Sequence, residues 1–244
     1  MKKFLGLILS ALAVTIYAGE EAAPLPADNY QVFDLGFVLN QPSSIVTSNV
    51  YGIKAGFPIV NGLGRVYGVE ASWFYSGTAY IRGLQASWIM NQNKTMQGIQ
   101  GAFVGNINDE KLQGLQAAFA FNVAGDMQGI QAGAVGVAKN FEGLQASAVA
   151  SVAEDYSGFQ TSVIVSYARD FDGIQFTGIY NESWNMTGIQ VAIINVANNI
   201  EGLQFGVLNV ARDNQAFQVG LINIISNGCI PFMPFVNFSF DNAE

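Results

Sequence analysis

The groups in this sequence best placed to do chemistry are amides in a regular row. A triplet of Gly, an aliphatic or aromatic residue, and Gln recurs with its glutamine at Gln85, Gln100, Gln116, Gln131, Gln145, Gln160, Gln175, Gln190 and Gln204. A worn copy carries Gln218, and successive glutamines stand 14 to 16 residues apart. Two upstream triplets, Gly52-Ile53-Lys54 and Gly68-Val69-Glu70, put charge where the others put an amide. Asp34, Lys54 and Glu70 are the only charges expected to point inward in mid-strand. A row of amides could bind a sugar, line a permeation path or hydrogen-bond to itself. A binding site rarely repeats identically on ten strands, so the expectation is that each amide hydrogen-bonds to neighbouring side chains and stabilises the inner wall. The three charges could set ion selectivity or form a structural ion pair.

Little else is equipped for catalysis. The chain has no His, which removes the commonest general base and the commonest metal ligand together. It has no nucleophile elbow and no phosphate loop, and its acidic turns lack calcium-loop spacing. No enzyme activity, cofactor or metal is expected. The single cysteine, Cys229, excludes an internal disulfide framework and reads as a small buried filler. The formal charge is −8, or −10 once Lys2 and Lys3 are removed with a signal segment. An acidic chain without a basic stripe repels nucleic acid.

The elements that must position the amides are strands. Gly at a fixed place in each unit would cost every helix about 1 kcal/mol. Asn/Asp-rich pieces such as Asn91-Gln92-Asn93-Lys94 separate the triplets and suit turns. Each unit therefore reads as a strand of about ten residues and a short turn. Side chains alternate across a strand, so each unit divides into two sets. Met96, Gly98, Gln100 and Ala102 form a moderately polar set, and Leu84, Ala86 and Trp88 belong to a continuously apolar one. From Leu84 to Asn223 neither set carries a mid-strand charge.

That alternation predicts an all-β fold: an antiparallel, up-and-down transmembrane β-barrel of about 14 strands, apolar side to lipid and glutamines lining a lumen. Further strands are expected at 31–40, 50–59 and 66–75. A last one near 231–240, with Phe232, Val236, Phe238 and Phe240 on one face, would serve the barrel-assembly machinery. On this reading Val207 points out and Leu208 in, and Gln100 lies near Asn91 across a hairpin. The alternative is a parallel β-solenoid, in which Gln85, Gln100 and Gln116 stack and Lys54 stands beside Glu70. A straight ten-residue strand would leave only about five residues for a return of some 33 Å, which counts against the solenoid.

The basic start Met1-Lys2-Lys3 and the uncharged apolar run from Phe4 to Ala18 predict a secretory signal peptide over 1–18. Residues 19–29 read as a flexible leader and 30–240 as one repeat domain. The motif, with ends such as Gly202-Leu203-Gln204-Phe205-Gly206-Val207-Leu208-Asn209-Val210, resembles bacterial envelope surface-repeat proteins of the GLQ/GIQ type over roughly 50–240. The resemblance implies an envelope location and repeat architecture. The expected protein is thus exported to the outer membrane or cell surface of a Gram-negative-type bacterium. It would be a passive channel or structural component in contact with membrane lipid. Alternatively it is a surface-exposed solenoid acting in adhesion or protein interaction; no solute or surface partner is identified.

Overall fold

The computed structural model describes residues 30–37, 44–213 and 215–239. The expected signal segment and leader, and the residues after Ser239, lie outside them. The chain forms one 13-stranded sheet in sequence order. Its strands are β1 (Tyr30–Gly36), β2 (Asn49–Gly56), β3 (Ile59–Ser72), β4 (Tyr75–Ser87), β5 (Met90–Ala102) and β6 (Gly105–Ala118). They continue as β7 (Phe121–Ser162), β8 (Val165–Thr177), β9 (Tyr180–Val191), β10 (Ile194–Phe205), β11 (Leu208–Asp213), β12 (Ala216–Ile225) and β13 (Phe232–Ser239). A single helical turn, α1 (Ser44–Thr47), precedes β2.

The sheet is a parallel β-solenoid. Gly83 pairs with Gly98, Gly98 with Gly114 and Gly114 with Gly129, all in parallel register. Lys54 likewise pairs with Glu70, and Glu70 with Gln85. The antiparallel barrel is thereby overturned, and with it the transmembrane, porin-like reading of the repeat. Among the described strands only β13 is antiparallel, laid on β12 with Asn237 opposite Gln218. This last segment, expected as a barrel-closing strand, instead turns back over the end of the stack.

The distance argument against a solenoid fails because the strands are not straight. Asn91 and Gly101 lie ten residues apart along β5, yet the Asn91 Nδ2 donates to the Gly101 carbonyl at 2.6 Å. The strand therefore folds round on itself within one coil. Its register slips between Asn93 and Thr95, and the chain bends again at Phe103 and Val104. Between these points Gly98 holds φ at +134°, a region from which a side chain is largely barred. A Cβ there would lie 2.0 Å from the Gly83 carbonyl oxygen. The same geometry recurs at this triplet position from Gly52 to Gly202. From Gly52 to Gly202 the glycine of the repeat is thus a stacking requirement, where coil backbones meet too closely for a methyl group; Ala216, paired with Gly202 in the last copy, does not adopt the positive φ.

Inside the prism a row of small residues runs from Thr78, Asn93 and Asn108 through Ala124 and Ala138, and three further kinds of row run beside it. One is apolar, including Ile81, Met96, Leu112 and Met127. It becomes aromatic at Phe141, Tyr156 and Phe171, whose rings stack at centroid distances of 5.0 and 5.3 Å. The second is the glutamine row, and the third is an asparagine and serine row starting at Ser76 and Asn91.

Candidate functional site: an internal amide ladder and an apolar outer face

Every glutamine singled out from the sequence stands in the core, at no more than 1% exposure. They form one continuous ladder. Gln100 Nε2 donates to Gln85 Oε1 at 2.8 Å, Gln116 to Gln100 at 3.1 Å, and Gln131 to Gln116 at 2.8 Å. The same bond links Gln145, Gln160, Gln175, Gln190, Gln204 and Gln218 to their predecessors at 2.7 to 2.9 Å. The second amide proton often crosses the coil, as from Gln116 to the Val123 carbonyl at 3.2 Å and from Gln218 to the Ile224 carbonyl at 3.1 Å. There is no lumen for these groups to line: they fill a closed core and satisfy one another, which buried amides must do.

All the amides point the same way, N–H toward the N-terminal end. An aligned row carries its partial positive end there, as helix peptides do. At that end sits Glu70, whose Oε1 accepts from Gln85 Nε2 at 3.0 Å and from the Thr78 N–H at 3.3 Å. Glu70 Oε1 thus takes both hydrogen bonds offered at the end of the row, while its Oε2 is buried without a partner. Beyond it lies Lys54, fully buried, with its Nζ donating to the Ile45 carbonyl at 3.2 Å. Asp34 is held by the Ser48 hydroxyl at 2.5 Å. Burial lowers the affinity of Lys54 for its proton, against the pull of Glu70 and Asp34. Burial likewise pushes the Glu70 carboxyl up, opposed by Lys54 and by the hydrogen bonds from Thr78 and Gln85. The three predicted inward charges thus form one cluster at the N-terminal end of the ladder.

The asparagine row went unrecognised in the sequence as a structural device. Asn91, Asn106 and Asn122 are linked by Nδ2-to-Oδ1 bonds of 2.8 and 2.9 Å, and Asn181, Asn195, Asn209 and Asn223 by bonds of 2.8 to 3.0 Å. Each also ties down a carbonyl across the corner, as Asn195 does with Phe205 at 2.7 Å. The available signal is an Asn five or six residues after most of the glutamines, on the same face of the strand, where the barrel reading makes it a partner for Gln rather than for another Asn. Cys229 is exposed rather than buried. Leu208 is not inward either: after the corner at Val207 the buried position passes to Asn209.

Outside, the faces differ sharply. The residues one before, one after and three after each glutamine form a flat strip running from Val69 to Leu221. Its members include Ile99 (49% exposed), Phe103 (53%) and Ile174 (42%). The strip bears no charge, and Thr161 supplies its one hydroxyl. Trp88, Phe103 and Phe119 stack along one edge at 5.3 and 5.6 Å. The neighbouring face is polar, with amide and carboxylate rows such as Gln97, Gln113, Gln128 and Glu142 linked at 2.8 to 2.9 Å. Arg169 there contacts Asp155 at 2.9 Å and Asp170 at 3.0 Å. A shallow groove of about 560 Å3 on this face is lined by Lys111, Asp126, Glu142, Asp155 and Asp172 among others. Its carboxylates are engaged in part by Arg169, Asn140 and Asn185.

No family model, curated protein or solved structure matches the chain.

Proposed function

We propose that this protein is a non-catalytic solenoid scaffold of the bacterial envelope or surface, working by protein interaction through its apolar strip. The strip carries the reading. Ten steps between coils at about 4.8 Å and a width near 15 Å make it roughly 700 Å2, more than the ~300–600 Å2 typical of the largest apolar patch on a monomer. A face of that size and uniformity is a surface made to be covered. Most of the polar groups inside are occupied with each other, and the few buried oxygens without a partner, such as Glu70 Oε2 and Gln218 Oε1, are scattered along the core rather than gathered at one place. The export expected from residues 1–18 supports a partner outside the cytoplasm.

Thiol labelling in the producing cells tests it, with a membrane-permeant maleimide and Cys229→Ser chains carrying one new cysteine. Ala86→Cys on the strip should be protected, while Lys139→Cys, exposed away from the strip, should label fully. Equal labelling at the two positions would show the strip uncovered and end this reading.

A further inference from the structure

Resting on that reading of the strip, we infer that its occupant is a second copy of this chain, packed face to face with the solenoid axes antiparallel. The argument comes from how residue size changes along the strip. In the row three after each glutamine, the coils of Glu70, Gln85, Gln100 and Gln116 present Trp73, Trp88, Phe103 and Phe119. The next four coils present Ala134, Ala148, Val163 and Gly178. Four large residues are followed by four small ones.

A two-fold axis in the plane of the strip, perpendicular to the solenoid and passing between the Gln116 and Gln131 coils, lays each row on its own reverse. Phe119 then meets Ala134, Phe103 meets Ala148, Trp88 meets Val163 and Trp73 meets Gly178. Self-complementarity of this kind is what an isologous interface requires, and large-on-small pairing fills the space between layers.

Two further rows agree on the same axis. One residue after the glutamines the order is opposite: small at Ala71, Ala86 and Gly101, large at Phe176. The axis sets Phe176 over Ala71 and Thr161 over Ala86. Three residues before the glutamines, at the strip's border, it brings Asp172 to Tyr67, Glu142 to Gln97 and Ser157 to Arg82. Each carboxylate meets a hydrogen-bond donor, and no like charges face each other.

The area suffices. The eight paired coils of the strip cover about 500 Å2 on each copy, and the flanking Lys54 and Gln190 coils, with Ile53, Phe57 and Ile193 exposed, extend this to about 650 Å2, roughly 1,300 Å2 in total, within the ~1,200–2,000 Å2 of specific interfaces. A bilayer fits less well, because the exposed carboxylates of Glu142, Asp172 and Glu201 border the strip and no basic rim is present to hold lipid headgroups.

The test uses the purified chain in sedimentation equilibrium and in cross-linking. The natural chain should sediment as a dimer, and Ala117→Arg, near the axis, as a monomer with an unchanged circular dichroism spectrum. For orientation, a Cys229→Ser, Ala86→Cys chain is mixed with a Cys229→Ser, Thr161→Cys chain and treated with a short bismaleimide. Positions 86 and 161 lie five coils apart in one chain, about 24 Å, but face each other across the proposed dimer. The mixture should give a linked heterodimer, and neither chain alone a linked homodimer. A monomeric natural chain overturns the inference, as does a dimer in which Ala86→Cys links to itself. Protection of Ala86→Cys in cells together with a monomeric purified chain overturns the second copy while the interaction reading stands. Full labelling in cells overturns both.

Discussion

Leu144 and Gln145 are neighbours in the chain and opposites in environment: the leucine is 39% exposed and the glutamine fully buried. The same inversion runs the length of the solenoid, with amides inside and aliphatic groups outside. The amide row is tolerable in the core because every coil supplies the next with a partner in register, so no N–H is buried alone. The aliphatic row is exposed because a solenoid has one interior, and the inward rows of side chains already fill it. Burial here follows from what can be paired between coils, and polarity alone is a poor guide to it.

The most damaging change removes the spacing both rows share. Gly129→Ala would place a methyl about 2.0 Å from the Gly114 carbonyl oxygen at a φ of +136°. A loss above about 4 kcal/mol is expected, seen as failure to recover folded protein. Folded Gly129→Ala with a natural midpoint in urea would contradict the close stacking.

The charged end of the row comes next. Lys54→Met leaves Glu70 buried without its counter-charge and should cost about 3–5 kcal/mol, while adding Glu70→Gln should recover most of that. The single variant should also acquire a pH dependence. Burial raises the Glu70 carboxyl above its ordinary value of 4.5, and the opposing effect of Lys54 is gone. The folded chain then holds a proton that the unfolded chain has released, so stability falls as pH rises above 4.5. Denaturant melts at several pH values, flat for the double variant and sloping for the single one, check both points.

Breaking the ladder in its middle should cost somewhat less. Gln145→Leu strands the Oε1 of Gln131 and one amide proton of Gln160. About 2–4 kcal/mol is expected from two unsatisfied buried groups. The mirror change next door, Leu144→Gln, should shift the unfolding free energy in dilute solution by no more than about 0.5 kcal/mol. Comparable losses at 144 and 145 would mean that the two rows are not inside and outside as described.

Much of this was legible in the chain. The period of 14 to 16 residues, the strand character and the division of each triplet into an outward aliphatic and an inward Gln come from local alternation. The partner of each Gln does not: the barrel sets Gln100 beside Asn91, and only the solenoid stacks Gln on Gln. The Asn residues are legible at the strand ends on the glutamine face, but their bonds to one another and to the carbonyl across the corner depend on parallel stacking. The parity of Leu208 was lost for a related reason: alternation does not carry through a bend.

What the sequence by itself determined is which residues share a side of the backbone, because that depends on a two-residue period within one strand. Tertiary structure alone decided which strand lies beside which. The same alternation serves an antiparallel barrel and a parallel stack, and the short Asn-rich pieces suit either a hairpin or a corner. The choice rests on the bend at glycines such as Gly98 and on the corner at Phe103 and Val104, which bring Asn91 to Gly101 and close each coil. Closure puts the next glutamine directly above the last, and contact between residues some fifteen apart turns an inner wall into a solid core.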